Sequence, residues 1–136
     1  MPRPLQIAID GPSGAGKSTI AKALAKRLDM TYLDTGGLFR SFAYGLKRDG
    51  IEQSSIPPAQ EIIKRYDLQL EKDGERSFFL NGEDVSQAIR ANEMSGIASD
   101  YSKHPHLREA VLVLERSMAE TMPVIMDGRD IGSVVL

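Results

Sequence analysis

The sequence predicts an α/β fold organised around a parallel sheet, with a small antiparallel insert. Three observations carry that prediction. A short apolar run at residues 5–10, LQIAID, passes straight into a glycine-rich loop and then into a helical pattern. Two further strand patterns, at residues 31–33 and 124–127, are separated from the first by helical stretches, and strands alternating with helices are the ingredients of a parallel sheet. From Asp67 the texture changes: LQLEKDGERSFFLNGEDV reads as strand, Asp-Gly turn, strand, Asn-Gly turn, the pattern of an antiparallel hairpin set between helices.

The individual elements follow in order. Residues 5–10 form a buried strand, rich in isoleucine and ended by glycine. From Lys17 a helix begins, with Ile20, Leu24 and Leu28 recurring every four residues as its apolar stripe and Lys22, Lys26 and Arg27 between them. After the strand at 31–33, Thr35 is placed to cap a helix over 36–48, which the Asp49-Gly50 pair ends. SSIPP opens another helix that runs to about Tyr66, with proline in its first turn. Beyond the hairpin, VSQAIRANEMSGIASDYSK is helical but interrupted. His104 and Pro105 then begin the clearest helix, whose apolar face is Leu107, Ala110, Val111, Leu114 and Met118. Pro123 stops it, and a buried strand leads into a polar corner, DGRD.

Composition narrows the function classes. The chain of 136 residues is long enough for one compact domain with a core. Its net charge of −2 provides no global basic field for nucleic acid, so an anionic ligand must be held by local groups. No apolar run approaches membrane-spanning length, and the N-terminal apolar segment is too short for a secretory signal, so no membrane partner is expected. With no cysteine, disulfides and thiolate metal sites are excluded, which agrees with a cytoplasmic setting. His104 and His106 flank Pro105 without a third ligand nearby and read as helix-start residues rather than metal ligands.

The glycine loop carries chemistry. Gly11-Pro-Ser-Gly-Ala-Gly16-Lys17-Ser18 fits G-x-x-x-x-G-K-[ST], and the strand before it and the helix after it supply the context that pattern needs. Glycines in this number cost backbone entropy and bury no side chain. They are explained if backbone N–H groups must turn inward around phosphate oxygens at the positive end of a helix. Gly11, Ser13, Gly14, Ala15, Gly16, Lys17, Ser18 and Thr19 then form the cradle. Lys17 would reach the β- and γ-phosphates, and Ser18 would offer its hydroxyl to Mg²⁺. The fold expected is therefore of the P-loop NTPase type, a three-layer parallel sheet, here partial. The loop fixes ATP or a related triphosphate, not the reaction. An Asn-Lys-x-Asp guanine-reading motif is absent from the sequence, which weakens the GTPase reading.

Later features point to the acceptor. YLDTGGLFR sets Thr35, Gly36, Gly37 and Arg40 around a helix start; IASDYSKHPHLREAV carries Ser99 and Arg108; VIMDGRDIGSVV puts Asp127, Arg129 and Asp130 at the end of a buried strand. Ligands of open α/β sheets bind beyond the strand C-termini, so the first and third groups are expected beside the loop. On helix statistics alone Arg108 is a solvated charge and Ser99 a surface serine, and Asp127 and Asp130 are turn or cap residues.

From Ile7 to Leu136 the chain resembles bacterial cytidylate kinase, most strongly in IDGPSGAGKST, YLDTGGLFR, LNGEDVSQAIR and DGRDIGSVV. One departure is TGGLFR, where the family commonly has a pattern like T-G-A-M-Y-R. The resemblance implies phosphorylation of CMP and dCMP with ATP and Mg²⁺. It makes Lys17, Arg40 and Arg129 the catalytic charges, with Arg40 and Arg129 on the acceptor phosphate. It makes Ser99, Arg108 and Asp130 the readers of cytosine, puts Thr35 near the acceptor nucleotide, and makes Asp127, with Ser18, the metal-holding pair. It implies a cytoplasmic protein with no nucleic-acid or membrane partner, monomeric at full length. Residues 1–136 are then a single kinase domain, incomplete at its C-terminus, in which residues 67–90 are the inserted monophosphate-binding region. The family's further strands, arginine-bearing lid and adenine clasp have no counterpart in this sequence. One side of the first strand is expected to lack a neighbour. Two other readings remain at this point: a non-catalytic nucleotide-binding fragment, and a P-loop kinase for another small metabolite.

Overall fold

The computed structural model describes residues 4–10, 16–70 and 78–128. The elements are β1 (Gln6–Asp10), α1 (Lys17–Leu28), β2 (Thr31–Leu33), α2 (Thr35–Arg48), α3 (Ala59–Arg65), β3 (Leu68–Leu70), β4 (Phe78–Leu80), β5 (Glu83–Asp84), α4 (Asn92–Ser102), α5 (Pro105–Thr121) and β6 (Val124–Gly128). Short 3-10 turns lie at Gln53–Ser55 and Ala88–Arg90. The chain divides into two compact units. The first holds β1, α1, β2, β6 and α5 from Val113 onward; the second holds α2 to α4 and α5 up to Leu112.

The first unit is the predicted parallel sheet. Its order is β1-β6-β2, so the strand latest in the sequence sits between the two earliest. Gln6 pairs with Val124 and Ile9 with Asp127 on one side of β6; Thr31 pairs with Val124 and Leu33 with Met126 on the other. Val124, Ile125 and Met126 are fully buried, the continuous apolar run expected of a central parallel strand. Among the described residues β1 is paired on its β6 side only, as the sequence anticipates.

α1 covers one face of this sheet, but not with the predicted stripe. Ala21 and Ala25 make the buried contact with Met30 and Ile125, and Ile7, Ile9, Leu24 and Tyr32 pack around them. Ile20 and Leu28 are 51% and 48% exposed. The four-residue spacing holds, but the buried stripe is shifted by one residue, with Leu24 at its margin. Residues 20, 24, 28 and residues 21, 25 are neighbouring stripes with the same period, and the small alanines let the helix axis approach the sheet.

The second unit is locally connected. β3, β4 and β5 form an antiparallel sheet in that order. Asn81 and Gly82, with φ of 52° and 84°, make the tight turn that the Asn-Gly pair predicts. The predicted Asp73-Gly74 turn lies outside the described residues. α2 buries Leu38, Phe42 and Leu46 together with the small residues Gly37, Ser41, Ala43 and Gly45, and packs against α4. The small residues leave its backbone open to the sheet. A Cβ added at Gly37 would lie 2.2 Å from Cζ of Phe78, and one at Gly45 would lie 2.8 Å from the Tyr66 ring and 2.9 Å from Leu80. α3 begins at Ala59, with Pro58 at its cap and a 3-10 turn replacing the first part of the predicted helix. At the start of α5, His104 Nδ1 accepts the His106 backbone N–H at 3.1 Å, a side-chain cap on the helix.

Candidate active site

In the first unit the strands are parallel, so their C-terminal ends share one edge of the sheet. β1 ends there at Asp10, in register with Gly128, and the chain returns as α1 from that edge. Gly16 stands immediately before the helix with φ 76°, a left-handed conformation that favours glycine. Its carbonyl accepts the Ile20 N–H at 3.2 Å. Lys17 and Ser18 are the first two residues of α1, and Thr19 is exposed in the same turn. Their backbone N–H groups belong to the helix start, where donors lack intrahelical partners and the dipole is positive.

Asp127 reaches the same edge from the central strand. Ile125 lies in the cluster beneath α1, and Asp127, two residues on, has the same face by strand alternation. The first unit therefore brings the phosphate-loop helix start and the Asp127 carboxylate to one face and one edge. Tyr32, which no sequence motif marks, joins them. It pairs with Ile125, so Asp127 is its diagonal neighbour, and its O–H donates to Asp127 Oδ1 at 2.5 Å. Burial, then the hydrogen bond and charge of Asp127, push the Tyr32 phenol above its ordinary range, so it stays a protonated donor. The Lys22 ammonium lies 5.9 Å from the centre of the Tyr32 ring, within cation–π range. The sequence shows Tyr32 only as a phenol on a short predicted strand. Only the strand order makes it a neighbour of Asp127.

An oxygen-only donor set suits Mg²⁺, and the Asp127 carboxylate at this edge is a donor of that kind. Among the described residues no group of three or more His, Cys, Asp or Glu could hold a metal ion. Such an ion would complete its shell with water and phosphate oxygens, which is its usual habit.

The second unit carries the other candidates. Thr35 is the first residue of α2, and Arg40 lies in its second turn on a different face; both are half-buried. Ser99 is exposed on α4, the helix that packs against α2. Arg108 is exposed in the first turn of α5, its backbone N–H bonded to the His104 carbonyl at 3.3 Å. Gly11, Ser13, Gly14, Ala15, Arg129 and Asp130 lie outside the described residues. Among the described residues no helix is long and apolar enough to cross a membrane.

Residues 7–136 match the family described as Cytidylate kinase. The chain belongs to the cytidylate kinase family. Among curated members, it is 47% identical over 132 residues to "Cytidylate kinase" of Caldanaerobacter subterraneus subsp. tengcongensis, covering 97% of this chain and 58% of that relative. It is 41% identical over 138 residues to "Cytidylate kinase" of Bacillus subtilis, covering 100% of this chain and 61% of the relative. It is also 39% identical over 137 residues to the "Bifunctional pantoate ligase/cytidylate kinase" of Parasynechococcus marenigrum, covering 99% of this chain and 27% of that protein. The chain thus spans about three-fifths of the length of the first two cytidylate kinases. Family membership accounts for the parallel sheet, the loop-to-helix junction and the small antiparallel sheet together.

Proposed function

We propose that this chain carries the chemistry of ATP-dependent phosphorylation of CMP and dCMP to their diphosphates by in-line phosphoryl transfer. The observation that carries the reading is the cytidylate kinase match over residues 7–136, in a chain whose helix from Lys17 starts on the sheet edge that Asp127 reaches near the end of β6. The first unit takes the donor phosphates through the cradle at Gly11, Ser13, Gly14, Ala15, Gly16, Lys17, Ser18 and Thr19. Arg40 and Arg129 take the acceptor phosphate. Ser99, Arg108 and Asp130 read the base, with Thr35 beside the nucleotide.

The chemistry explains these residue types. The attacking oxygen belongs to a phosphate whose second pKa is about 6, so it is already largely ionised at neutral pH and needs no general base. The obstacle is repulsion between two anions. At an effective dielectric of about 20, each pair of unit charges at ~4 Å costs about 4 kcal/mol. Lys17, Arg40 and Arg129 offset that cost and align the reactants. Mg²⁺, held by Ser18 and Asp127, would add neutralising charge when bound. Cytosine offers an amino donor at N4, which the Asp130 carboxylate accepts; uracil has a carbonyl there, which a carboxylate repels. The same reading makes the protein a cytoplasmic small-molecule enzyme, monomeric at full length, with neither nucleic acid nor membrane as partner.

The test is a coupled assay of ADP release with CMP, dCMP, UMP, AMP and shikimate. It is run on this chain and on one extended to the length of its relatives. Turnover confined to CMP and dCMP is expected, with UMP disfavoured by at least about 10²-fold, because a mispaired site leaves buried polar groups unpaired. Preference for another acceptor in both chains would overturn the substrate assignment. ATP binding without turnover in the shorter chain alone would mark it as a nucleotide-binding piece of the enzyme.

A further inference from the structure

We propose that Tyr32 is a positioning residue for phosphoryl transfer, acting by holding the Asp127 carboxylate in one orientation at the loop edge. The inference rests on the functional reading above, because it assigns Tyr32 a part in that reaction. An aspartate on a strand end has two torsions, and the second is broad and weakly preferred. Left alone, the Asp127 carboxylate would sample many rotations. The Tyr32 O–H takes Oδ1 at 2.5 Å, the distance of a charge-assisted O–H···O⁻ bond, and so sets that rotation and directs Oδ2 to its other duty. The phenol can do this because its own ring is fixed. Tyr32 packs against the cluster of Ala21, Ala25, Met30 and Ile125, and Lys22 lies 5.9 Å from its ring centre. The bond joins β2 to β6 diagonally, across residues 95 apart in sequence. A half-buried phenol needing only a partner could take water instead. The carboxylate it takes is the one at the end of the central strand.

Tyr32→Phe removes the O–H and keeps the ring. The readout is equilibrium ATP binding by the 136-residue chain, measured by calorimetry in EDTA and across a Mg²⁺ titration, with melting temperature recorded alongside. In Tyr32→Phe the Mg²⁺ concentration giving half of the Mg²⁺-dependent gain in ATP affinity should rise about tenfold, the low end for outer-shell partners of metal-binding groups. ATP affinity in EDTA and the melting temperature should stay at wild-type values, which a merely structural role would not require. An unchanged Mg²⁺ midpoint, or an affinity loss equal with and without Mg²⁺, overturns the proposal. Asp127→Asn gives a second arm: in that background Tyr32→Phe should add no further shift, and additive losses would show that Tyr32 does not act through Asp127. If the wild-type chain fails to bind ATP, the same titrations are made on the chain extended to the length of its relatives; failure of that wild-type chain too sinks the functional reading and this inference with it, a result seen before any variant is made.

Discussion

The two units differ in how they hold their candidate residues. In the first, position is set by backbone: strand ends and a helix start are brought to one edge by the parallel order β1-β6-β2. In the second, Arg40, Ser99 and Arg108 stand on α2, α4 and α5, and the antiparallel sheet rests directly on the backbone of α2. In the first unit the candidate positions are therefore set by where strands and a helix begin and end. In the second, the packing is tight and the candidate binders are residues that any helix surface could carry. Substitutions should separate the two cases: loss of chemistry without loss of stability in the first unit, loss of stability in the second.

The largest effect is expected at Lys17. Replacing it with alanine removes the cationic side chain of the phosphate loop while leaving the glycines and the helix start in place. CMP-dependent turnover should fall by about 10²–10³-fold, the cost of deleting one preorganised group that stabilises transition-state charge. The melting temperature should hardly move, because alanine is at least as good a helix former as lysine at this helix start. A variant that kept its turnover, or that lost turnover only because it unfolded, would erase the contrast for the first unit.

Gly37→Ala is the matching experiment in the second unit, and there two terms oppose each other. Alanine in place of glycine favours a helix by about 1 kcal/mol. Against this, the new Cβ would stand 2.2 Å from Cζ of a Phe78 ring that is 1% exposed. Overpacking of that kind costs about 1–3 kcal/mol, so the net effect should be destabilising by about 1 kcal/mol, read as a fall of several degrees in the melting temperature. Adding Phe78→Leu should recover part of the loss. If Gly37→Ala raised the melting temperature, helix propensity would outweigh the fit between α2 and the sheet.

How far the sequence could be read follows the same division. The strand at Gln6–Asp10, the helix from Lys17, the Asn81-Gly82 turn and the long α5 were all legible, because each depends on local chemistry: apolar runs, positive-φ residues and a proline at a helix start. The glycine-loop motif and the DGRD pattern stand out in the sequence by their residue types; residues 11–15, 129 and 130 lie outside the described residues, and the structure shows only the strands and the helix start that flank them. What escaped was whatever depends on tertiary neighbours. Tyr32 became a candidate only when β6 entered between β1 and β2 and brought Asp127 beside it. The tight seat of Phe78 on Gly37 joins residues far apart in the sequence and leaves no local mark. Arg108 and Ser99 are still ordinary helix residues by their surroundings, and it is the family resemblance that gives them a role.

The smallest effect tests the one helix face that was misphased. Had Ile20 belonged to the core, truncating or polarising it would cost about 2–5 kcal/mol, as buried aliphatic side chains do. It is 51% exposed, and the neighbouring Ala21, at 0%, makes the contact with the sheet instead. Ile20→Gln should therefore change stability by no more than about 0.5 kcal/mol, a shift of one or two degrees in melting temperature. Glutamine keeps the helix propensity of an unbranched side chain, so any sizeable loss could not be assigned to the backbone. A loss above about 2 kcal/mol would mean that Ile20, and not Ala21, is the residue buried against the parallel sheet. The first unit would then be held by the broad aliphatic stripe that the four-residue spacing first drew, and the close approach of α1 through its alanines would have to be given up.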